Sequence, residues 1–194
     1  MKNAADYYQD HEVDLYIETA SGKKFYFSRP EFDIHDMAHA MGMQCRYTGH
    51  CRRFYSVAEH SILVADIMRH LDLGDPFEGL LHDGTEGYLS DIAAPWKALL
   101  PDYKRIEGEL EVKLRRKYGL PATITPGCKR ADWLALFVEA RALMPTKAAD
   151  WIAPEGVKEQ AAGLVYPIHC MHPYQAKKIF LNHFYAMYRP AGKP

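Results

Sequence analysis

Apolar and polar residues alternate from Val13 to Thr19 and again from Lys24 to Ser28, on either side of Ala20-Ser21-Gly22-Lys23. That pattern predicts a β-hairpin closed by a glycine turn. From Asp33 onward the period becomes helical and stays so. Asp33 is a candidate cap for a short helix over Ile34 to Met43. Ser56 is one for a longer helix reaching about Leu71, with Val57, Ile62, Leu63, Ala65, Ile67 and Met68 among its apolar positions. Pro76 stands at the favoured first position of a third helix that carries Phe77, Leu80 and Leu81. A short helix is expected from Ile92 to Leu100. An amphipathic one follows from Pro101 to Tyr118, where Ile106, Leu110 and Leu114 are spaced by four and Gly119 supplies the stop. The stretch Lys129 to Met144 is apolar nearly all round and should be central. Pro145 to Pro167 reads as a loop-rich connection, and Tyr174 to Tyr188 as a closing helix. The predicted class is all-α with a small N-terminal hairpin. It forms one domain over 1–194, with the hairpin in 1–32, the helical core in 33–144 and a C-terminal loop and helix in 145–194.

Composition narrows the picture without naming a chemistry. At 194 residues, 48% of them hydrophobic, the chain can bury one sizeable core. Its longest apolar windows, Ile62 to Met68 and Leu134 to Val138, are far too short to cross a bilayer. The run Met1-Lys2-Asn3-Ala4-Ala5-Asp6 lacks the apolar core of a secretory signal, so a cytoplasmic protein is expected. Cys45, Cys51, Cys128 and Cys170 form no CxxC pair, which suits a reducing compartment. A formal net charge of −1 without a basic stripe argues against a partner that is polymeric nucleic acid. A small anionic substrate needs only a local cluster of cations and stays open.

The chemistry is concentrated at His82-Asp83, which follow three residues, Gly79, Leu80 and Leu81, that read as buried helix. Burying an imidazole and a carboxylate without partners costs about several kcal/mol, and a divalent metal ion would satisfy both. Two further anomalies of the same kind exist. His60 lies inside the apolar run Val57 to Leu63, and Asp132 is the one charge in Ala131 to Val138. A lone histidine on such a helix is more often a satisfied core residue than a ligand. Together, His60, His82, Asp83 and Asp132 make a four-ligand set from three central helices, with open positions for water and substrate. Such a set suits manganese, cobalt, iron, nickel or zinc comparably, and magnesium stands with them among the candidate ions. His35-Asp36 repeats the dipeptide, but His39 stands where a glutamate would follow, so Asp36 reads as structural. His169, His172 and His183 show no ligand spacing.

The order His60, His82-Asp83, Asp132 resembles the signature of the HD-domain metal-dependent phosphohydrolases, and the likeness runs from about Leu15 to Met144. The stretches Ser56 to Ser61, His82 to Ile92 and Lys129 to Asp132 are similar to small bacterial 5′-deoxynucleotidases. Upstream, Asp36 to Ala40, Cys45 to His50 and Phe54 to Ser56 look more like phage-encoded HD phosphohydrolases, a group that includes deoxyadenosine triphosphate hydrolases. The resemblance implies an HD-type helical bundle, a homo-oligomer, and metal ligation by His60, His82, Asp83 and Asp132. It assigns Glu86 and Asp91 to an acidic pair that handles water and leaving group, and Arg46 to the phosphate. The implied reaction is hydrolysis of a small deoxynucleotide at its 5′ phosphoester. Release of triphosphate from dATP is the first choice, and a 5′-deoxynucleotidase acting on dNMPs the second.

Spacing adds to this. Glu86 follows His82 by four residues and Asp83 by three, which would place all three on one side of one helix. Asp91 falls past that helix and reads equally as the N-cap of a helix starting at Ile92. Lys97, six residues beyond Asp91, and Lys129, one turn before Asp132, could both face a phosphate, and two lysines beyond Arg46 favour a di- or triphosphate. Tyr47 and Trp96 are candidates to stack on a base, and His50 to orient sugar or phosphate. No histidine lies between His82 and His169, so a mononuclear core is expected. The competing class is a non-catalytic nucleotide-binding module that keeps the fold.

Overall fold

The structure is a computed structural model that describes residues 14–189; Val13, at the edge of the predicted hairpin, and the flanks 1–13 and 190–194 of the predicted domain lie outside the described residues. Strands β1 (Tyr16–Glu18) and β2 (Lys24–Tyr26) pair antiparallel, with Ile17 opposite Phe25. The strands are shorter than the alternation suggested, and the hairpin is held from outside. Asp36 accepts hydrogen bonds from Thr19 Oγ1 (2.8 Å), Ser21 N (2.9 Å) and Ser21 Oγ (2.7 Å). Its structural role is as expected. Phe25 stacks on Tyr88 with ring centroids 4.0 Å apart, which fixes the hairpin's inner face to the helices.

Helix α1 (Ile34–Met43) starts where Asp33 accepts from the N–H groups of His35 and Asp36. Helix α2 (Val57–His70) starts where Ser56 accepts from Glu59 N. Next come α3 (Pro76–Leu81), α4 (Glu86–Leu89), α5 (Ala94–Lys97) and α6 (Pro101–Tyr118), the last ended by Gly119 at φ 69°. Helices α7 (Pro126–Leu143), α8 (Val157–Ala162) and α9 (Pro173–Met187) complete the chain. Three boundaries differ from the sequence reading. Helix α5 keeps only one turn of the predicted Ile92–Leu100. Helix α7 starts three residues before Lys129, because Thr125 caps it and Pro126 takes the first position. The segment expected as loop contains α8.

Helix α2 is the hub, packed on α1, α3, α7 and α9. One core lies on its Val57, Ala58, Ile62 and Ala65 side, with Met37, Leu80, Leu114 and Phe180. The other lies on its Leu63, Val64, Ile67 and Met68 side, with Leu134, Ala135 and Val138 of α7. Helix α3 approaches α2 so closely that a Cβ on Gly79 would stand 2.7 Å from Met68 Sδ and 3.1 Å from Ala65 N. That close contact sets His82, three residues on, beside His60. The start of α7 is fastened by a buried ion pair between α6 and α3: Arg115 Nη2 donates to Glu78 Oε1 (2.5 Å), and Glu78 also accepts from Thr125 N (2.9 Å) and Thr125 Oγ1 (2.6 Å). No helix among the described residues is long and apolar enough to cross a membrane.

Candidate metal centre

His60 projects from the start of α2, four residues past its Ser56 cap, and Asp132 from the second turn of α7. His82 and Asp83 come from neither helix interior. The α3 hydrogen-bond ladder ends at His82, whose own backbone is still helical, and a tight turn follows, closed by Gly84 N to Leu81 O (3.0 Å) and Glu86 N to Asp83 O (3.0 Å), before α4 begins at Glu86. The expectation that His82, Asp83 and Glu86 share one helix is therefore corrected: i→i−3 bonds replace the helical ones between them.

His60 Nε2 lies 3.1 Å from Asp132 Oδ1 and 3.4 Å from Asp83 Oδ2. His82 Nε2 lies 3.2 Å from Asp83 Oδ2 and 3.8 Å from Asp132 Oδ1. Both Nε2 atoms are buried and neither makes a hydrogen bond within the protein. The other ring nitrogens explain why. His82 Nδ1 is 2.8 Å from the Gly79 carbonyl, and His60 Nδ1 is 2.6 Å from Glu139 Oε1. Each of those acceptors takes a hydrogen bond from the Nδ1–H and so turns Nε2 toward the cluster, where it can ligate an ion once its own proton is lost. Donors about 2.0–2.2 Å from a shared ion sit roughly 3.0–3.5 Å apart, close to the separations found here. His60, His82 and Asp132 could hold a metal ion, each offering one ligand atom within 4.8 Å of the others. Asp83 Oδ2 faces the same two nitrogens. The Asp132 side chain is 44% exposed while both imidazoles are enclosed, so the cluster opens to solvent on the Asp132 side.

Glu139 is the residue the sequence reading missed. It is fully buried two helical turns beyond Asp132 and accepts from His60 Nδ1, Tyr55 Oη (3.1 Å) and Tyr47 Oη (2.8 Å), with Arg46 Nε 3.4 Å away. Burial works to raise its carboxyl, but the His60 ring and the Arg46 guanidinium hold it below the ordinary range. The signal was present: a charge directly after that apolar run, seven residues beyond Asp132 and thus on the same face. Arg46 also stands 3.5 Å from Asp83 Oδ2, so one guanidinium bridges the cluster and its support. Burial and Glu139 push the Tyr47 hydroxyl far up, which keeps it a donor. Tyr47, Thr48 and Gly49 are all left-handed, at φ 58°, 53° and 77°. That turn, costing about 1–2 kcal/mol per non-glycine residue, swings Tyr47 inward to Glu139. Its ring lies 6.0 Å from that of Trp151.

Glu86 is buried with Oε2 unpartnered, while Oε1 is 3.3 Å from Lys97 Nζ. Burial raises its carboxyl well above the ordinary range, and Asp83 and Asp91 add to the effect. Asp91 follows Ser90, which turns the chain at φ 78°, and its N–H goes to Gln44 Oε1 (2.9 Å). Helix α5 starts later with Ala93 at its cap, so Asp91 is not an N-cap. Lys97 is divided between Glu86 and Glu107 (2.8 Å), both of which hold it charged against burial. Lys129 is exposed and makes no ion pair among the described residues, His50 is exposed, and Trp96 is 61% exposed. These three are not gathered into the cluster.

The fold and site thus define a mostly helical protein whose central helices gather a histidine–aspartate cluster able to hold a metal ion. No family model matches the chain. It is similar to the uncharacterized protein YfdR of Escherichia coli strain K12, with 39% identity over 162 residues that span 82% of this chain and 89% of that protein. It is also similar to an uncharacterized protein of Rhodobacter capsulatus, with 31% identity over 140 residues, 69% of this chain and 64% of the other. The chain belongs to the YfdR family.

Proposed function

We propose that the chain is an HD-type, metal-dependent phosphohydrolase that cleaves the 5′ phosphoester of a small deoxynucleotide. The observation that carries this reading is the pair of buried, unpartnered Nε2 atoms of His60 and His82 facing Asp83 and Asp132. A divalent ion held by these four residues would polarise a phosphoryl oxygen and make water acidic. The remaining work falls to the chain's own groups. Arg46, beside Asp83, neutralises negative charge that grows on the phosphoryl oxygens. Glu86 takes a proton from the attacking water, a role supported by its Oε2 being buried and without a partner while Lys97 steadies Oε1. Asp91, joined to the same segment, serves the leaving alkoxide.

The choice between mono- and triphosphate turns on the cations. A triphosphate would need Lys97 and Lys129 to join Arg46. Lys97 instead bridges two glutamates, and Lys129 is exposed with no ion pair among the described residues. The smaller charge of a monophosphate suits this balance better, and the 5′-deoxynucleotidase reading gains from it. The test is a panel of dNTPs, dNMPs and their ribo counterparts with manganese or cobalt, with products separated by chromatography. Inorganic phosphate from dNMPs with dNTPs intact is expected. Triphosphate from dATP would move the assignment to the triphosphohydrolases. Nucleotide binding without turnover in any divalent metal would replace the enzyme by a binding module.

A further inference from the structure

The side chain that fixes the acidic pair comes from outside the segment that carries it. Gln44 stands one residue past α1, with its N–H on the Ala40 carbonyl (3.1 Å) and its carbonyl accepting from Val57 N (3.2 Å) at the start of the His60 helix. From that anchored backbone its amide reaches the stretch after the His82-Asp83 turn and holds it twice. Nε2 donates to the Glu86 carbonyl (2.8 Å), and Oε1 accepts from the Asp91 N–H (2.9 Å). These partners fix which end of the amide is which, because a carbonyl only accepts and a backbone N–H only donates.

The held segment has little rigidity of its own. Helix α4 is a single turn, too short to persist unaided. Ser90 is extended at positive φ (φ 78°, ψ 150°), a region that is essentially glycine's and costs a serine about 1–3 kcal/mol. Residues 91–93 have no regular structure. Tyr103 Oη holds the Ser90 carbonyl (2.7 Å), and Gln44 closes the two ends of the turn onto one amide group. We propose that Gln44 is a positioning residue. It sets the spacing of Glu86 and Asp91 and their aim at the His60, His82, Asp132 cluster, and so acts on turnover and not on nucleotide or metal affinity. The inference rests on the hydrolase reading of the site.

The experiment compares wild type with Gln44→Met, close in volume but without either hydrogen bond, and Gln44→Glu, which keeps an acceptor for Asp91 but sets a carboxylate oxygen against the Glu86 carbonyl. Steady-state kinetics, manganese titration by calorimetry and amide hydrogen exchange at Asp91 are read on each. Gln44→Met is expected to lose about 10–100-fold in kcat, with KM and manganese affinity within about threefold and protection of the Asp91 amide gone. Gln44→Glu is expected to keep that protection and still lose rate. Turnover of Gln44→Met within about twofold of wild type, or a fall in manganese affinity as large as the fall in rate, overturns the proposal. If wild type hydrolyses no nucleotide, the hydrolase reading is what fails. Exchange then judges the clamp alone: protection lost in Gln44→Met upholds it, and protection kept overturns it.

Discussion

Glu139 Oε1 lies 2.6 Å from His60 Nδ1, with both side chains fully buried. The contact decides the tautomer of His60 and presents Nε2 to the cluster, and the same carboxylate gathers Tyr47, Tyr55 and Arg46. Glu139→Gln keeps the volume but replaces a charged acceptor by an amide. It is expected to weaken manganese binding by about 10–100-fold, measured by calorimetric titration of the folded protein. An unchanged affinity would show that an uncharged acceptor orients the ring as well as the carboxylate does.

Metal loading is expected to stabilise the fold. A free ion at 100 times its Kd adds about 2.7 kcal/mol, which for a chain of this size raises Tm by about 5–10 °C. Differential scanning calorimetry with and without manganese should show that rise, and a chelator should reverse it. Asp132→Ala removes the exposed ligand of the cluster, so both the rise and the hydrolysis of nucleotides should vanish. A fully active variant without metal would overturn the mechanism.

What was legible from the chain was local or anomalous. Asp33, Ser56 and Gly119 mark helix ends because each meets its backbone partner within a few residues. His60, His82 and Asp132 stand out because a polar group in an apolar run needs a reason. Glu139 obeyed the same rule and was passed over. The fate of Lys97 was not legible, since its partners Glu86 and Glu107 lie eleven residues before and ten after it, and only the packing of α5 beside α6 brings them together. Gln44 gave no signal either: a glutamine at a helix end looks like surface until the chain 42 residues on folds back onto it. The break after α3 was hidden because the pattern through His82 to Glu86 fits a continuous helix as well as a tight turn.

Arg115 and Glu78 form a pair in which each side chain is almost fully enclosed, at 2% and 1% exposure. Arg115 further donates to the carbonyls of Pro121 (2.5 Å) and Thr123 (2.9 Å), and Glu111 Oε1 lies 3.5 Å from its Nη1, so Glu78 is the nearer and more enclosed of two carboxylates that balance its charge. Removing Arg115 strands Glu78, and removing Glu78 leaves Arg115 only the more distant and more exposed Glu111. Arg115→Met and Glu78→Gln are each expected to cost about 3–5 kcal/mol in urea unfolding. Because Thr125 hangs on Glu78, loosening of the start of α7 should also lower manganese affinity through Asp132. The double variant Arg115→Met with Glu78→Leu should recover part of the loss, since neither charge is then left alone.

The last prediction concerns pH at a place remote from the cluster. Asp33 caps α1 and binds Lys23 Nζ at 2.6 Å. That hydrogen bond, opposed by modest burial and helped by the His35 and Asp36 N–H groups, lowers the Asp33 carboxyl from 3.8 to about 2. The folded value lies below the unfolded one, so the contribution is complete above about pH 4 and is lost as pH falls through about 2. Lys23 is raised by the same bond to Asp33, so its share is complete below about 10.5 and fades as pH rises beyond that value. Asp33→Asn keeps an acceptor for the helix and removes the charge, whereas Asp33→Ala removes both and should cost about 1 kcal/mol from the cap alone. Urea unfolding at pH 7, 4 and 3 should therefore show the gap between wild type and Asp33→Asn shrinking toward acid, while part of the Asp33→Ala deficit persists. A gap to Asp33→Asn that stays constant across that range would show that the Asp33 charge contributes nothing to folding.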